Sequence, residues 1–522
     1  MTMYDLEDDG VVVIVGSGAG GGTLAHELTR RGVAVVLLES GPHLTPDDFV
    51  NDEWAAHQQL SWLDRRTASG GWRVAEDHPD DPVWHCEVVG GTTTHWSGCC
   101  LRLQPHEMRA ATTYGSVPGA SLIDWPISFA DLEPWYELAE TKMGVTRTGG
   151  RPGLPANNNF KVMYHGAKAI GLDSVNTGRH AINSEPFDGR PATDHSGFTV
   201  QGDKTQSKWS TLYVEIPKAL KTGKLELRAQ CRALRVEHDA AGRASGVLYA
   251  DKNGAQHFQK ARVVVLAANC VESSRLLLNS HSGLFPQGLA NGWGHVGRHY
   301  LRHIIATVWS VFPEPVRMYR GETMAGLATE MAAHDPARGF VGGYYIELNA
   351  MGLPATAAFV DPGWWGRDFA CFMEHYAHVA GLFITGEDMP QPDNRVTLDG
   401  DQTDRFGVPI ANLHYDDHAN DVRLRNHGYK KLSAMHQAVG ALRTIEAPPY
   451  PASHNLGSNR MSAKPEDGVL DAHGRAHEMA NLFIADGSQF ASGGAGNPTL
   501  TIVALAMRQA EYMAALMSAG EL

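Results

Sequence analysis

Residues 11–21 read Val11-Val12-Val13-Ile14-Val15-Gly16-Ser17-Gly18-Ala19-Gly20-Gly21, and they give the clearest indication of the fold. Its first five residues are apolar and β-branched, which is typical of a strand buried on both faces of a parallel sheet. Gly16, Gly18 and Gly21 follow at the G-x-G-x-x-G spacing. Such glycines let the backbone approach a pyrophosphate, and the N-terminus of a following helix favours its negative charge. The stretch predicts a dinucleotide-binding turn; the alternative is a plain glycine-rich turn.

The residues after this turn complete a strand–helix–strand unit. Residues 23–31 have a helical composition that Gly32 ends, and a second apolar run over residues 33–38 stops at Glu39. An acid about twenty residues beyond the glycines belongs to the dinucleotide fingerprint, because it accepts hydrogen bonds from the adenosine ribose. A carboxylate there disfavours a 2′-phosphate and therefore NADP. The unit alone does not distinguish FAD from NAD.

Composition and charge narrow the class of protein. The 522 residues are 43% hydrophobic and 20% charged, which is ordinary for a globular protein with a large core. This length predicts two or more domains. The formal net charge of −14 argues against a nucleic acid as partner, since phosphate contacts need clustered Lys and Arg. It is compatible with a neutral or cationic substrate.

The cysteines and histidines give no metal-site pattern. Six cysteines are too few for a disulfide framework, and none forms the C-x-x-C pair of zinc and iron–sulfur sites. His295, His299 and His303 are spaced four residues apart, but Gly297 interrupts the helix that this spacing would need and no acid joins them. We expect no metal.

The N-terminal residues carry no targeting pattern. Residues 1–10 are acidic and lack the basic region of a secretory signal. Glycines break the apolar run that follows, and no other run has membrane-spanning length. We therefore expect a cytoplasmic protein without a membrane span; export together with a signal-bearing partner is the alternative.

A second glycine-rich segment, residues 88–98, reads VVGGTTTHWSG. It resembles the segment that runs along the flavin ring in the glucose-methanol-choline (GMC) family, in a variant like that of pyranose oxidases, where the histidine of a Thr-His-Trp triplet carries the flavin covalently. Similar segments occur in fructose and gluconate dehydrogenase large subunits. The resemblance implies FAD, places Ser97 near flavin N5, and leaves covalent and non-covalent binding at His95 both open. The residues that it assigns to the cofactor are Gly91, Thr94, His95, Trp96 and Ser97. The plain alternative is a turn around a buried tryptophan.

Three later segments also resemble the family. Residues 262–278 look like its internal signature, a buried strand that leads into a helix beside the flavin nucleotide. Residues 231–236 resemble the strand whose backbone meets the adenine, which implies a contact from Ala233. Residues 481–501 resemble the C-terminal signature, which assigns Asp486 to the cofactor. These landmarks occur in the family's order over nearly the whole chain.

The C-terminal segment also predicts local structure. Asn497 is a good N-cap, and Pro498 a good first residue, for a helix that runs to about Met517. In the family, the positive end of this helix faces the pyrimidine edge of the flavin, where reduction places negative charge. The resemblance therefore assigns Asn497 and Thr499 to the cofactor.

The order of these motifs predicts an α/β architecture with two lobes. A Rossmann-like FAD-binding domain is expected to be discontinuous, over residues 1–125, 200–300 and 450–522. The intervening residues 126–199 and 301–449 would form a substrate-binding domain. By the family pattern, this second domain has an antiparallel sheet that roofs the flavin and is backed by helices.

Two residues are candidates for catalysis. His454 opens an H-x-x-G segment that resembles the one carrying the catalytic histidine of the family, and Asn497 matches its second catalytic position, which is His or Asn. Alcohol oxidation removes a hydroxyl proton and a hydride together, so it needs a base, and imidazole titrates in the right range. A neutral amide can hold the substrate oxygen without competing for the proton. The alternatives are that His454, one of 26 histidines, is structural and that Asn497 serves only as an N-cap.

The predicted function is FAD-dependent oxidation of an alcohol, with hydride passing to flavin N5. The nearest-looking groups act on hexoses, aldonates and glycosides, which favours a secondary hydroxyl at C2 or C3 of a pyranose. An aryl, phenylpropanoid or other primary alcohol is the alternative within the family; a flavin-dependent lyase or isomerase, and a non-enzymatic flavin-binding module, are alternatives of other classes. The electron acceptor is oxygen, a quinone or a separate redox protein, since the chain has no C-x-x-C-H haem motif.

Overall fold

The computed structural model describes residues 3–60, 66–195 and 200–522, apart from the side chains of residues 57–60 and 354. The strands are β1 Val12–Val15, β2 Val35–Leu38, β3 Thr67–Ser69, β4 Val175–Asn176, β5 Leu225–Arg228, β6 Arg232–His238, β7 Ala244–Ala250, β8 Gln256–Lys260, β9 Val263–Leu266, β10 Ile304–Val311, β11 Leu327–Ala328, β12 Tyr344–Asn349, β13 Val379–Gly386, β14 Arg395–Thr403, β15 Pro409–His414, β16 Arg443–Ala447 and β17 Leu482–Ile484. The helices are α1 Ala19–Thr29, α2 Glu53–Leu60, α3 Arg73–Asp77, α4 Ala110–Tyr114, α5 Phe129–Met143, α6 Asn158–Ala169, α7 Glu215–Lys221, α8 Asn269–Asn279, α9 Leu353–Phe359, α10 Arg367–Glu374, α11 Ala419–Gln437 and α12 Thr499–Ala519.

The first layer is a five-stranded parallel sheet in the order β17-β9-β1-β2-β5. Every residue of β1, β2 and β9 is buried, which explains their uninterrupted apolar sequences. Helices α1 and α12 pack against each other and share a hydrophobic cluster with Val12 and Ile14 of β1. This layer confirms the predicted Rossmann-like unit.

Helix α1 begins at Ala19, four residues before the predicted start. The glycines of the turn are part of the helix because their neighbours leave no room for a side chain. A Cβ atom on Gly20 would lie 1.4 Å from the carbonyl oxygen of Ala485, and one on Gly21 would lie 2.0 Å from that of Gly16. The missing side chains therefore let the first turn of α1 pack directly on adjacent backbone.

The second layer is a six-stranded antiparallel sheet in the order β16-β10-β13-β12-β11-β4. Helices α6 and α11 cover one face and bury alternate residues such as Val308, Ile346 and Ile384. The opposite face carries Ile305 and Phe383, which line the cavity described below. This arrangement confirms the predicted antiparallel sheet backed by helices.

The two remaining sheets are small, with the orders β14-β15-β3 and β6-β7-β8. The strands of the parallel layer come from residues 12–38, 225–266 and 482–484, so this layer is discontinuous in sequence. The exact domain boundaries stay a prediction. Within the described ranges, the helices are all too short or too polar to cross a bilayer.

Candidate active site

A cavity of about 460 Å³ lies between the two large sheets. Its walls are the ends of β1, β2 and β9, the N-terminus of α1, the glycine-rich segment before residue 98, and the uncovered face of the antiparallel sheet. Most of the predicted site residues line it: Gly16, Gly18, Glu39, Gly91, His95, Trp96, Ser97, Ala233, His454, Asp486, Asn497 and Thr499. Gly21 and Thr94 are not among the residues that line the cavity. Motifs separated by more than 400 residues are thus brought to one place.

The first glycine turn is shaped to hold a ligand against its backbone. Gly16 has a left-handed φ of +97°, and a Cβ atom there would lie 2.4 Å from the carbonyl oxygen of Ala267. A Cβ atom on Gly18 would meet nothing within 4 Å, so this position faces open cavity at the N-terminus of α1. A Cβ atom on Gly91 would lie 3.0 Å from Gly18 Cα. These close backbones form a cradle with positive helix-dipole potential, which suits a pyrophosphate.

The carboxylate of Glu39 accepts more hydrogen bonds from its own chain than the sequence predicts. Its Oε2 accepts hydrogen bonds from the backbone N–H and the hydroxyl of Ser17, at 3.0 and 2.6 Å, and its Oε1 accepts from the N–H of Gly41 at 2.9 Å and the hydroxyl of Ser40 at 3.3 Å. Burial raises the pKa of this carboxyl above its ordinary value. Glu39 therefore also stabilises the glycine turn, and a ribose hydroxyl would compete with the long Ser40 contact.

The second glycine-rich segment folds into a short 3₁₀ helix, Gly91–Thr94, that presents His95 to the cavity. The Nδ1 atom of His95 lies 2.8 Å from the hydroxyl of Thr94 and 3.3 Å from the thiol of Cys86. Burial, together with the positive charge of Lys208, lowers the pKa of His95 to about 3. His95 is therefore a neutral imidazole whose ring is oriented by the residue before it.

His454 is a partly buried histidine in the cavity wall, and its partner is a second histidine. The Nδ1 atoms of His454 and His303 are 3.0 Å apart, and the Nε2 atom of His303 lies 3.1 Å from the carbonyl oxygen of Gly493. Burial, with a contribution from His303, holds the pKa of His454 well below its usual range, and burial lowers the pKa of His303 to about 4. Both rings are therefore neutral at neutral pH.

Asn497 does not cap the last helix. Helix α12 begins at Thr499 with Pro498 at its N-cap position, so the predicted capping role was wrong. The Asn497 Nδ2 atom instead donates to Glu347 Oε2 on β12 at 3.4 Å, and Glu347 Oε1 accepts from the Thr385 hydroxyl at 2.6 Å. A tertiary contact with the antiparallel sheet therefore determines the orientation of this amide. Burial raises the pKa of Glu347 to about 7.

The sequence reasoning missed His303 and Glu347. A carboxylate inside the apolar run of β12 (YYIELN) is a signal that could have indicated Glu347, because such a group is rarely buried without a role. For His303 the only signal was the spacing with His295 and His299. Both His299 and His303 have left-handed backbone, with φ of 63° and 58°, so this segment is not a helix. Among the described residues, no group of three His, Cys, Asp or Glu side chains could hold a metal ion.

Comparison with known proteins gives the family. Residues 48–305 and 390–506 match two family models described as GMC oxidoreductase, and residues 14–47 match a model described as an NAD(P)-binding Rossmann-like domain. The chain belongs to the GMC oxidoreductase family. It is an FAD-dependent oxidoreductase that acts on alcohols.

Individual relatives align over almost the whole chain. The 2-methyl-1,2-propanediol dehydrogenase of Mycolicibacterium austroafricanum is 32% identical, over 96% of this chain and 94% of that protein. The fructose dehydrogenase large subunit of Gluconobacter japonicus is 28% identical, over 96% and 97%, and the paromamine 6′-oxidase of Streptomyces fradiae is 29% identical, over 97% and 92%. Among solved structures, pyridoxine 4-oxidase from Mesorbium loti shares the fold, with a TM-score of 0.67 at 16% identity over 96% of this chain and 98% of that one.

The cavity fits the dinucleotide that this family binds. The cradle at Gly18 and Gly91 has room where a side chain would otherwise stand, and Glu39 and Ala233 line the same cavity as the glycine turn. His454 and Asn497 line the same cavity, from the loop after β16 and the loop before α12. The residues present would therefore hold the phosphates at the glycine turn, with the two candidate catalytic side chains in the wall of the same cavity.

Proposed function

We propose that the protein oxidises a secondary hydroxyl of a sugar or glycoside, at C2 or C3 of a pyranose ring, to a ketone. His454 accepts the hydroxyl proton while the hydrogen on the same carbon leaves as a hydride with its electron pair. Bound FAD supplies the acceptor for that hydride at flavin N5. Asn497 orients the substrate oxygen from the opposite side.

The observation that carries this proposal is that a neutral, partly buried imidazole, His454, and a buried amide, Asn497, line one cavity with the predicted cofactor residues. A base must hold a lone pair before the substrate arrives, and the lowered pKa of His454 ensures that its ring is unprotonated. The amide of Asn497 carries no charge, so it can hold the substrate oxygen without competing for the proton.

A substrate with several oxygens is supported by two residues that line the same cavity, Asn497 and Asn349. The Oδ1 atom of Asn497 and the Nδ2 atom of Asn349 are buried and have no hydrogen-bond partner among the described residues. Leaving such groups unsatisfied costs about 1–3 kcal/mol each, so a ligand that bonds to them gains specificity. Asn497 offers an acceptor and Asn349 a donor, which together suit hydroxyl groups.

The second candidate is a primary alcohol. One relative is named for 2-methyl-1,2-propanediol, a diol whose only carbinol hydrogens lie on the primary carbon, and another is named for oxidation at a 6′ position. The chemistry at His454 would be unchanged, because a primary and a secondary hydroxyl lose the same proton and hydride. The two candidates differ in the product, an aldehyde or a ketone.

The test is an anaerobic screen of the purified holoprotein. Fructose, gluconate, alkyl glycosides, a 1,2-diol and aryl alcohols are added separately, and the loss of flavin absorbance near 450 nm, roughly the usual position for a flavin, is followed. Bleaching by a sugar, with a ring ketone in the product NMR spectrum, supports the proposal. An aldehyde from the diol or an aryl alcohol, with no bleaching by any sugar, replaces it by the second candidate. Turnover without bleaching would indicate a lyase or isomerase.

The same preparation identifies the acceptor and the link to the cofactor. We propose oxygen, a quinone or a separate redox protein as acceptor, and adding oxygen, a quinone or a dye to the bleached protein shows which of them restores the flavin colour. Acid precipitation then tests His95. Flavin that stays with the precipitated chain indicates a covalent link, whereas free FAD in the supernatant leaves His95 as a neighbour of the ring.

A further inference from the structure

We propose that His303 is a positioning residue that fixes the tautomer of His454, so that the nitrogen of His454 facing the cavity is always the one with the lone pair. This inference rests on the proposed role of His454 as base. It assigns a role to a residue that contacts neither substrate nor cofactor, and it follows from a chain of three groups: Gly493, His303 and His454.

The first step is the contact between His303 and Gly493. A carbonyl oxygen can only accept a hydrogen bond, so the Nε2 atom of His303, 3.1 Å from the Gly493 oxygen, must carry a proton. His303 is fully buried and neutral, with its pKa lowered to about 4. A neutral imidazole carries one proton, so the Nδ1 atom of His303 has the lone pair.

The second step is the contact between the two histidines. Their Nδ1 atoms are 3.0 Å apart, with the rings nearly perpendicular at 87°. Such a contact needs one proton, and His303 Nδ1 has none to give. The Nδ1 atom of His454 is therefore the donor. The remaining nitrogen of His454, Nε2, is left as the hydrogen-bond acceptor for a molecule in the cavity. In the opposite tautomer, two lone pairs would face each other at 3.0 Å.

The backbone holds His303 in place for this contact. His303 has a left-handed φ of 58°, a conformation uncommon outside glycine, asparagine and aspartate. The carboxylate of Asp388 stabilises it by accepting the backbone N–H of Arg302 at 2.7 Å and that of His303. A Cβ atom on Gly493 would lie 3.0 Å from Asp388 Oδ1 and 3.2 Å from the ring of His303, so glycine is needed for the close approach.

This arrangement has two consequences for the reaction. The lone pair of His454 is already aimed at the substrate hydroxyl, so no ring flip or proton exchange precedes proton transfer. When His454 accepts the proton, its Nδ1–H stays bonded to His303, which stabilises the resulting imidazolium.

Two amide variants separate this role from packing. In His303→Asn the amide oxygen stands near the position of Nδ1 and can accept from His454, whereas in His303→Gln the amide reaches toward Gly493 and leaves His454 without an acceptor. His299→Gln is the matched control: His299 is also buried and left-handed, but its partners are Ser121 and His295. Melting temperature and FAD content are measured for each variant, so that misfolding is recognised.

The readout is stopped-flow reduction of the bound flavin by an alcohol from the screen, with the limiting rate and the substrate dissociation constant obtained separately. We expect His303→Gln to lower the limiting rate at least about tenfold, and by less than the roughly 10²–10⁴-fold expected for loss of a general base, with little change in the dissociation constant. His303→Asn should recover most of that loss, and His299→Gln should reduce at the wild-type rate. If His303→Gln does not retain FAD, the test rests on His303→Asn. A limiting reduction rate of His303→Asn as low as that of His454→Ala contradicts the proposal.

Three results would overturn the inference in different ways. A slow His454→Ala beside a wild-type rate in His303→Gln means that His454 is the base but does not need His303. A wild-type rate in His454→Ala means that the proposed function of His454 itself is wrong. Equal losses in the Asn and Gln variants, with normal FAD content, would show that His303 acts through packing alone.

Discussion

Asn497 Nδ2 donates a hydrogen bond to Glu347 Oε2 over 3.4 Å, and this contact joins the C-terminal loop to the middle of the antiparallel sheet. It leaves the Oδ1 atom of Asn497, a residue that lines the cavity, without a hydrogen-bond partner among the described residues. Glu347 is buried, and its other partners are the hydroxyl of Thr385 and the thiol of Cys99. The amide that is proposed to orient the substrate is thus itself oriented by a buried carboxyl group.

Glu347→Gln should reduce the pH dependence of stability. Burial raises the pKa of Glu347 from 4.5 to about 7, so between these values the folded chain keeps a proton that the unfolded chain has released. Stability contributed by this group is therefore present below pH 4.5 and is lost as the pH rises to about 7. From pH 5 to pH 8, the wild type should therefore lose about 3 kcal/mol of stability relative to the Gln variant. Melting curves at four pH values measure this, and a constant difference would contradict it.

Gly18→Asp should fold but lose FAD. The position faces open cavity, where a Cβ atom would meet no protein atom within 4 Å, but a carboxylate there would repel a pyrophosphate at the N-terminus of α1. Gly18→Ala is the control for bulk without charge and should retain more cofactor. The flavin-to-protein absorbance ratio of the purified variants is the measurement. Wild-type FAD content in the Asp variant would mean that the phosphates do not bind beside Gly18.

Asn497→Ala should affect chemistry without unwinding the last helix. Because α12 is preceded by Pro498 rather than capped by Asn497, the loss of about 1 kcal/mol that an N-cap substitution costs is not expected. The variant removes the amide that holds the substrate oxygen, so flavin reduction should slow, though less than in a variant that lacks the base. Stopped-flow reduction and far-UV melting are compared. If the variant loses helicity at a lower temperature and its flavin is reduced at the wild-type rate, then Asn497 stabilises the helix and does not act in the reaction.

Much of the fold could be predicted from the sequence because its signals are local. The apolar runs, the glycine spacing and the acid at Glu39 lie within about 30 residues of one another, and the strand–helix–strand unit is as expected. The start of α1 was placed too late, because glycine usually disfavours helix and only the contact of Gly20 with the Ala485 carbonyl shows why it is required there.

The site was less predictable because its contacts join distant parts of the chain. Local preference assigned Asn497 to a helix cap, but its side chain bonds to Glu347, 150 residues earlier in the sequence. The pairing of His303 with His454 spans 151 residues and follows no spacing rule. Motif resemblance indicated the two candidate catalytic residues, whereas the groups that orient them emerge only from the packing of the sheet against the loops.

Flavin reduction in His454→Ala tests whether His454 is the base. The control is His436→Ala, which removes a buried neutral histidine bonded to Ser310 away from the cavity. With FAD bound, we expect the limiting reduction rate of His454→Ala to fall by about 10²–10⁴-fold while the substrate dissociation constant changes little, since the base acts mainly in the transition state. The control should keep the wild-type rate. Reduction of His454→Ala at the wild-type rate would show that His454 is not the base.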